Sequence, residues 1–214
     1  MTTLGIMMDR IADELARSDL TTEIGDAIRS AVNNYAGEHW WFNEYADYSF
    51  TTSSSLEFYP LPADFERLVI MQTIIGGQRV PCDAQTYDTI RRWQTNMVFG
   101  QPTDFAIYNQ NLVVYPIPNG PYVEVLSYIQ TVSTLTSTTC TNAFMTYGEE
   151  LIRNRARADI QVNFLRDGAM TDEMRQMASA GLPFLSHRER MAYMSLRARH
   201  TSRTATGRAR TIAW

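Results

Sequence analysis

The sequence predicts an α+β protein, a helical bundle with an inserted β-rich module. Three observations predict it. Apolar residues recur every three to four positions at both ends of the chain, the spacing of helices that bury one face. Residues 45–129 instead alternate with the two-residue period of half-buried strands, broken by Gly, Pro and Asn turns. The 214 residues, 44% hydrophobic and 20% charged, suffice for one good-sized core with an insertion. The bundle, made of an N-terminal helical hairpin plus C-terminal helices, is assigned to residues 1–44 and 142–200. The β module takes 45–141 and a flexible basic C-terminal arm 201–214. No internal repeat is present.

Thr3–Arg17 reads as a first helix, with Leu4, Met7, Met8, Ile11 and Leu15 on one stripe. The tight connection Ser18-Asp19-Leu20-Thr21 folds it back on a long second helix, Thr21–Phe42. Ile24, Ile28, Ala31, Tyr35 and Phe42 share a face of that helix, with His39 between the last two. Thr21 or Thr22 caps its start, and Glu23 and Asp26 sit where the helix dipole favours negative charge. Such a helix would run about 33 Å. Ordering it costs more than its stripe recovers, so it needs other helices against it. The aromatic cluster Trp40, Trp41, Phe42 needs somewhere to go.

Beyond Phe42 the period changes. Residues 45–51 and 56–59 alternate like a β-hairpin around Ser53-Ser54-Ser55, and Tyr59-Pro60-Leu61-Pro62 is a rigid corner. Leu68–Ile75 and Gln78–Pro81 pair across Gly76-Gly77. Asp83 caps a short helix reaching Trp93, with Tyr87 and Ile90 inward, and Gly100-Gln101-Pro102 makes another corner. Three strands follow, 104–108, 111–115 and 122–129, joined by Asn109-Gln110 and by a Pro-rich turn, 116–121. The Ser/Thr-rich stretch 131–141 is a loop. Thr146-Tyr147-Gly148-Glu149 has capping-box form and opens a helix to Arg166 that ends at Gly168. Thr171-Asp172-Glu173 caps the next, Gly181-Leu182-Pro183 breaks it, and helix resumes to about Arg199.

Charge is unevenly placed. All 19 basic side chains are arginine, and seven of them follow His187 against one acid, Glu189. Seven minus one leaves that end at +6, and the net charge of −4 then puts the preceding residues at −10. A basic end on an acidic body points to a negatively charged partner. Arginine, with its planar five-donor fork, suits fixed interface pairs. No run of about 18 apolar residues exists to span a membrane. The start, with Asp9, Arg10, Asp13 and Glu14, lacks the apolar region of a secretory signal. Cys82 and Cys140, in no metal-like spacing, read as reduced thiols of a product made in the cytoplasm.

Catalytic signatures are sparse. There is no phosphate-binding loop, no nucleotide-binding glycine pattern and no Gly-x-Ser-x-Gly elbow. His39, His187 and His200 have no partner four residues on that would make a metal pair, so neither a metal nor a cofactor is expected. Glu38 and Glu44 flank the aromatic cluster and could form the carboxylate pair of a glycoside hydrolase, the weaker reading. Met170, Met174, Met177, Met191 and Met194 supply adaptable packing surface, or an interface. Nucleic-acid binding through the tail is the other alternative, with little aromatic support near it beyond Trp214.

The sequence resembles the head-to-tail adaptor (connector or head-completion) proteins of tailed bacteriophages, especially the short-tailed ones. The resemblance covers Leu4 to about Arg199. It rests on Arg10-Ile11-Ala12-Asp13-Glu14-Leu15, Leu20-Thr21-Thr22-Glu23-Ile24 and Trp40-Trp41-Phe42-Asn43-Glu44. It rests also on Tyr59-Pro60-Leu61-Pro62-Ala63-Asp64-Phe65, on Gly100-Gln101-Pro102 with Leu112-Val113-Val114-Tyr115-Pro116-Ile117-Pro118, and on the closing helices. It implies a structural, non-enzymatic virion protein at the head–tail junction, in a homo-oligomeric ring of about twelve copies beneath the portal protein. The C-terminal arm would reach into the portal. The opposite face would take the tail nozzle or tube protein, with fibre attachment left open. An acidic body suits a channel through which DNA slides without sticking. Portal contacts are expected at Met191, Leu196, Arg197, Arg199, Arg203, Arg208, Arg210 and Trp214. Tail contacts are expected at the tips holding Ser53, Ser54, Ser55, Gly76, Gly77, Arg79, Asn119 and Gly120.

Overall fold

The computed structural model describes residues 2–210, with side chains as far as residue 203. It is an α+β protein. In chain order its elements begin with α1 (Leu4–Leu15), α2 (Thr21–Ala36), β1 (Glu44–Thr51), β2 (Phe58–Pro60), β3 (Phe65–Ile75), β4 (Gln78–Pro81) and β5 (Asp83–Ala84). Next come α3 (Tyr87–Gln94), β6 (Phe99–Gly100), β7 (Asp104–Tyr108), β8 (Asn111–Tyr115), β9 (Ile117–Pro118) and β10 (Val123–Gln130). The chain closes with α4 (Ala143–Tyr147), α5 (Glu149–Asn163), α6 (Gly168–Ser179) and α7 (His187–Arg210). Two compact units result, residues 1–43 with 132–214, and residues 44–131. No helix among the described residues is long and apolar enough to cross a membrane.

The helical unit is built on α5, which buries Leu151, Ile152, Ala156 and Ile160 against the stripes of α1 and α2. α1 is capped by Thr3, whose hydroxyl accepts from the Ile6 amide, and it buries Leu4, Met7 and Ile11. α2 buries Ile24, Ile28, Ala31, Val32 and Tyr35, but it stops at Ala36, short of the expected Phe42. Asn43 is the reason. Its side-chain amide donates to the carbonyls of Ala36 (3.2 Å) and Glu38 (2.8 Å), while its oxygen accepts from the Trp40 amide (2.8 Å). One side chain thus replaces the bonds of a further helical turn and folds Trp40 back into the core. Neither Thr21 nor Thr22 caps the helix; Leu20 occupies the cap position, and the Thr21 hydroxyl donates to the Ser18 carbonyl.

Segment 132–141 has no regular structure but packs with this unit. Leu135 is buried, and the carbonyls of Thr138 and Cys140 accept from the amides of Gly5 and Leu4. The expected capping box at Thr146 is absent. Asn142 caps α4 instead, and Glu149 bonds Thr2 and Arg10. Gly148 lies between α4 and α5, where a Cβ would stand 3.2 Å from the Phe144 side chain. α6 likewise begins earlier than predicted, capped by Asp167 and not by residues 171–173. Gly181 adopts a positive φ of 69° and Pro183 follows, so the break before α7 falls where expected.

In the second unit one four-stranded sheet has the order β1-β10-β3-β4 and another β2-β8-β7-β5. Tyr48, Phe50, Met71 and Leu126 of the first pack on Tyr59, Phe105, Leu112 and Val114 of the second. α3 covers the far face of the second sheet through Ile90, Ala106 and Val113. The hairpins β3–β4 and β7–β8 form as predicted, with positive φ at Gly76, Gly77, Asn109 and Gln110. The predicted hairpin of 45–51 with 56–59 does not form. β1 pairs with β10 and β2 with β8, so the two strands enter different sheets. β10 likewise leaves the β7–β8 hairpin for the first sheet. Asp83 lies in β5, and Thr86 caps α3.

Glu124 of β10 is buried with no exposed surface between these sheets. The Thr73 hydroxyl lies 2.8 Å from Oε2, and Oε1 has no hydrogen-bond partner among the described residues. Burial pushes this carboxyl up to about 7, only partly offset by Thr73. The native state therefore holds a proton that the unfolded chain releases near its ordinary value of 4.5. The contribution of this carboxyl to stability falls by about 3 kcal/mol as pH rises from about 4.5 to about 7, and levels off above. Glu124→Gln should remove most of that decline and raise the urea midpoint at pH 8 while leaving it little changed at pH 4. Urea titrations of both proteins across this range check it.

Candidate partner-docking surfaces

α7 is seated by a buried carboxylate at its first turn. Glu189 has no exposed surface and accepts from the Tyr35 hydroxyl of α2, from Arg155 Nη1 of α5 (2.9 Å) and from the Leu185 amide (2.6 Å). Its own amide donates to Ser186 Oγ (3.2 Å), closing a variant of the capping box. Burial, together with the bond to Glu189, drives the Tyr35 phenol far above its usual range.

Two turns further along, the helix lies on the aromatic residues that follow α2. Trp40 is fully buried and Phe42 packs between Trp40, Phe144 and Tyr147. The Arg197 guanidinium lies 4.1 Å from the Trp40 ring centroid, donates to the His39 carbonyl (2.7 Å) and the Tyr193 hydroxyl (3.0 Å), and pairs with Glu38. Tyr193 in turn donates to the same Glu38 oxygen (2.9 Å). Trp41 carries Arg199 at 5.3 Å and Arg203 at 4.9 Å, and stacks with His200. Cation–π contacts of this kind hold a guanidinium in place while leaving its donors to others.

The residues expected to meet a portal thus separate into groups. Met191 is 70% exposed, and Arg199 and Arg203 are exposed above Trp41. Leu196 is buried in the helical core, and Arg197 is half-buried with its donors committed within the chain; neither belongs to the exposed face. α7 passes the expected end at Arg199 and carries Arg208 and Arg210 on the same helix. The side chains of those two arginines, and Trp214 altogether, lie outside the described residues.

The tips expected to meet a tail are brought together by strand register. Thr51, Val123, Ile74 and Arg79 form one row across β1, β10, β3 and β4. The turns holding Ser53–Ser55, Gly76-Gly77 and Asn119-Gly120 therefore leave the first sheet at the same end. Two of the turns are also bonded together. The Thr52 hydroxyl donates to the Gly120 carbonyl (3.0 Å), Tyr122 N to Thr52 Oγ1 (2.9 Å) and Ser55 N to the Pro118 carbonyl (2.8 Å). Leu56, Ile75, Val80 and Val123 are exposed around these turns. Arg79 does not stand free at its tip: it pairs with Asp47, joining the edge strands of the sheet.

Glu38, one of the two carboxylates considered for hydrolysis, is held by Arg197 and Tyr193, which suits anchoring and not proton transfer. Glu44 begins β1 opposite Ile129. No group of His, Cys, Asp and Glu among the described residues is placed to hold a metal ion. Sequence reasoning missed Glu189 and Ser186, although Ser186-His187-Arg188-Glu189 carries the capping-box spacing. It also missed Asn43, for which no local signal exists.

Comparison with known proteins gives one family match: the SU10 adaptor protein family matches residues 2–210. A search of the curated proteins gives no match.

The geometry of α7 separates packing from display. Arg197→Ala should destabilise the chain by about 2 kcal/mol, because it removes a cation–π contact and leaves Glu38 without its cation. Arg203→Ala, at an exposed site, should stay within about 0.5 kcal/mol of the parent. Urea midpoints of the two variants test this.

Proposed function

Because the chain belongs to the SU10 adaptor protein family, we propose that it is a structural virion protein, a ring adaptor between portal and tail through which DNA passes. The family match over nearly the whole chain carries this reading. It also bears out the resemblance to phage head-to-tail adaptors drawn from the sequence. In the proposed assembly about twelve copies close a ring, as the resemblance implies. Exposed residues Met191, Arg199 and Arg203, with Arg208, Arg210 and Trp214 beyond them, face the portal. The end of the first sheet that carries Ser53–Ser55, Gly76-Gly77 and Asn119-Gly120 faces the tail nozzle or tube. The −10 charge ahead of the final arginine-rich stretch would keep phosphates off a channel wall.

A helical C-terminal element with arginines stacked on tryptophan supports docking by shape and fixed charge. It supports this better than non-specific binding to DNA, which would favour freely solvated cations. No catalysis is proposed. Deleting residues 201–214 should abolish assembly onto purified portal, measured by co-sedimentation, while leaving a single cooperative thermal unfolding transition of the remaining helical unit. Undiminished assembly would remove this element from the mechanism.

A further inference from the structure

A groove of about 540 Å³ opens in the helical unit where the end of α1, the middle of α5 and the first turn of α7 meet. Glu14, Glu150, Arg153, Arg157 and Arg188 supply its charge, and Met191 stands in its lining. Three guanidinium groups therefore face two carboxylates. Glu14 takes Nη1 of Arg153 (3.4 Å) and Nη1 of Arg157 (3.2 Å). That leaves Nε of both arginines buried and without an acceptor among the described residues. Asn154, 7% exposed, lines the same groove. Arg188 is exposed and makes no ion pair with a described residue.

Buried guanidinium N–H groups without acceptors are unfavourable, and native proteins rarely keep them unless something else supplies the acceptor. The donors here form a planar, multi-pronged set, which matches the two oxygens of a carboxylate. The groove is open and far larger than a small anion, and Met191 gives it an apolar, adaptable rim. Those features fit a side chain delivered on a polypeptide better than a free ion.

We propose that this groove is a socket for an acidic side chain of a partner protein, resting on the adaptor reading above. A Glu or Asp carboxylate enters between Arg153, Arg157 and Arg188, and Met191 packs on the segment that carries it. Met191 lies on the same helix as Arg199 and Arg203, so the socket adds an anchor near the start of the surface proposed to meet the portal.

The test uses the full chain and a fluorescently labelled hexaglutamate peptide at low salt, with hexaglutamine as neutral control and inorganic phosphate as competitor. Hexaglutamate should bind and hexaglutamine should not. Arg188→Gln and Arg157→Gln should each weaken binding about tenfold or more, and Arg92→Gln, in the other unit, should leave it unchanged. Arg188 is exposed, so its variant reports on the site even where Arg157→Gln fails to fold. Equal affinity in Arg188→Gln, equal weakening by Arg92→Gln, or displacement by phosphate at matched anion concentration would each overturn the socket. Portal assembly is measured alongside. A chain that assembles but ignores the peptide loses the socket and keeps the adaptor role; one that binds the peptide but does not assemble on portal loses the adaptor role alone.

Discussion

A buried carboxylate with three donors from three parts of the chain is the constraint on which the helical unit depends. Glu189 gains nothing from solvent, so its charge is tolerable only while Tyr35, Arg155 and the Leu185 amide all point at it. Each donor belongs to a different segment: α2, α5 and the turn that follows α6. Displacing any one of them leaves an under-bonded charge in the interior. α7 is therefore tied in place at its first turn by an interaction that punishes partial undocking, unlike apolar packing, which weakens gradually.

From that fixed start the rest of α7 is laid down on aromatic residues. Trp40 is inside, with Arg197 clamped over it, and Trp41 is nearer the surface, beneath Arg199 and Arg203. Arginine does two jobs along one helix. Where its guanidinium is half-buried, as in Arg197, it joins the helix to the body through Glu38, Tyr193 and the His39 carbonyl, and where it is exposed, as in Arg199 and Arg203, it lies over Trp41. An exclusively arginine basic complement makes sense on this account, because lysine's flexible ammonium has neither the planar stacking face nor the fork.

The β unit solves a different problem. Its three exposed turns need a rigid frame if they are to meet a partner in a fixed arrangement, and the register of β1, β10, β3 and β4 supplies one. The cross-links from Thr52 to residues 120 and 122 stiffen the frame where no strand pairing is available. Glu124 shows the cost of mixing polar chemistry into that sandwich, with one oxygen satisfied and the other not.

The sequence by itself determined the α+β class, the positions of most helices and strands, and the two hairpins at Gly76-Gly77 and Asn109-Gln110. Each of these is written in local periodicity or in turn residues that tolerate positive φ. It marked the aromatic cluster and the arginine-rich end without saying that one lies on the other. Strand partners were decided only by tertiary structure. Alternation reveals which face of a strand is apolar and nothing about which sheet will cover it, so β1 and β2 looked like a hairpin and belong to different sheets. Helix ends were decided the same way. Asn43 ends α2, and Asp167 starts α6, through side-chain bonds that compete with the backbone's own.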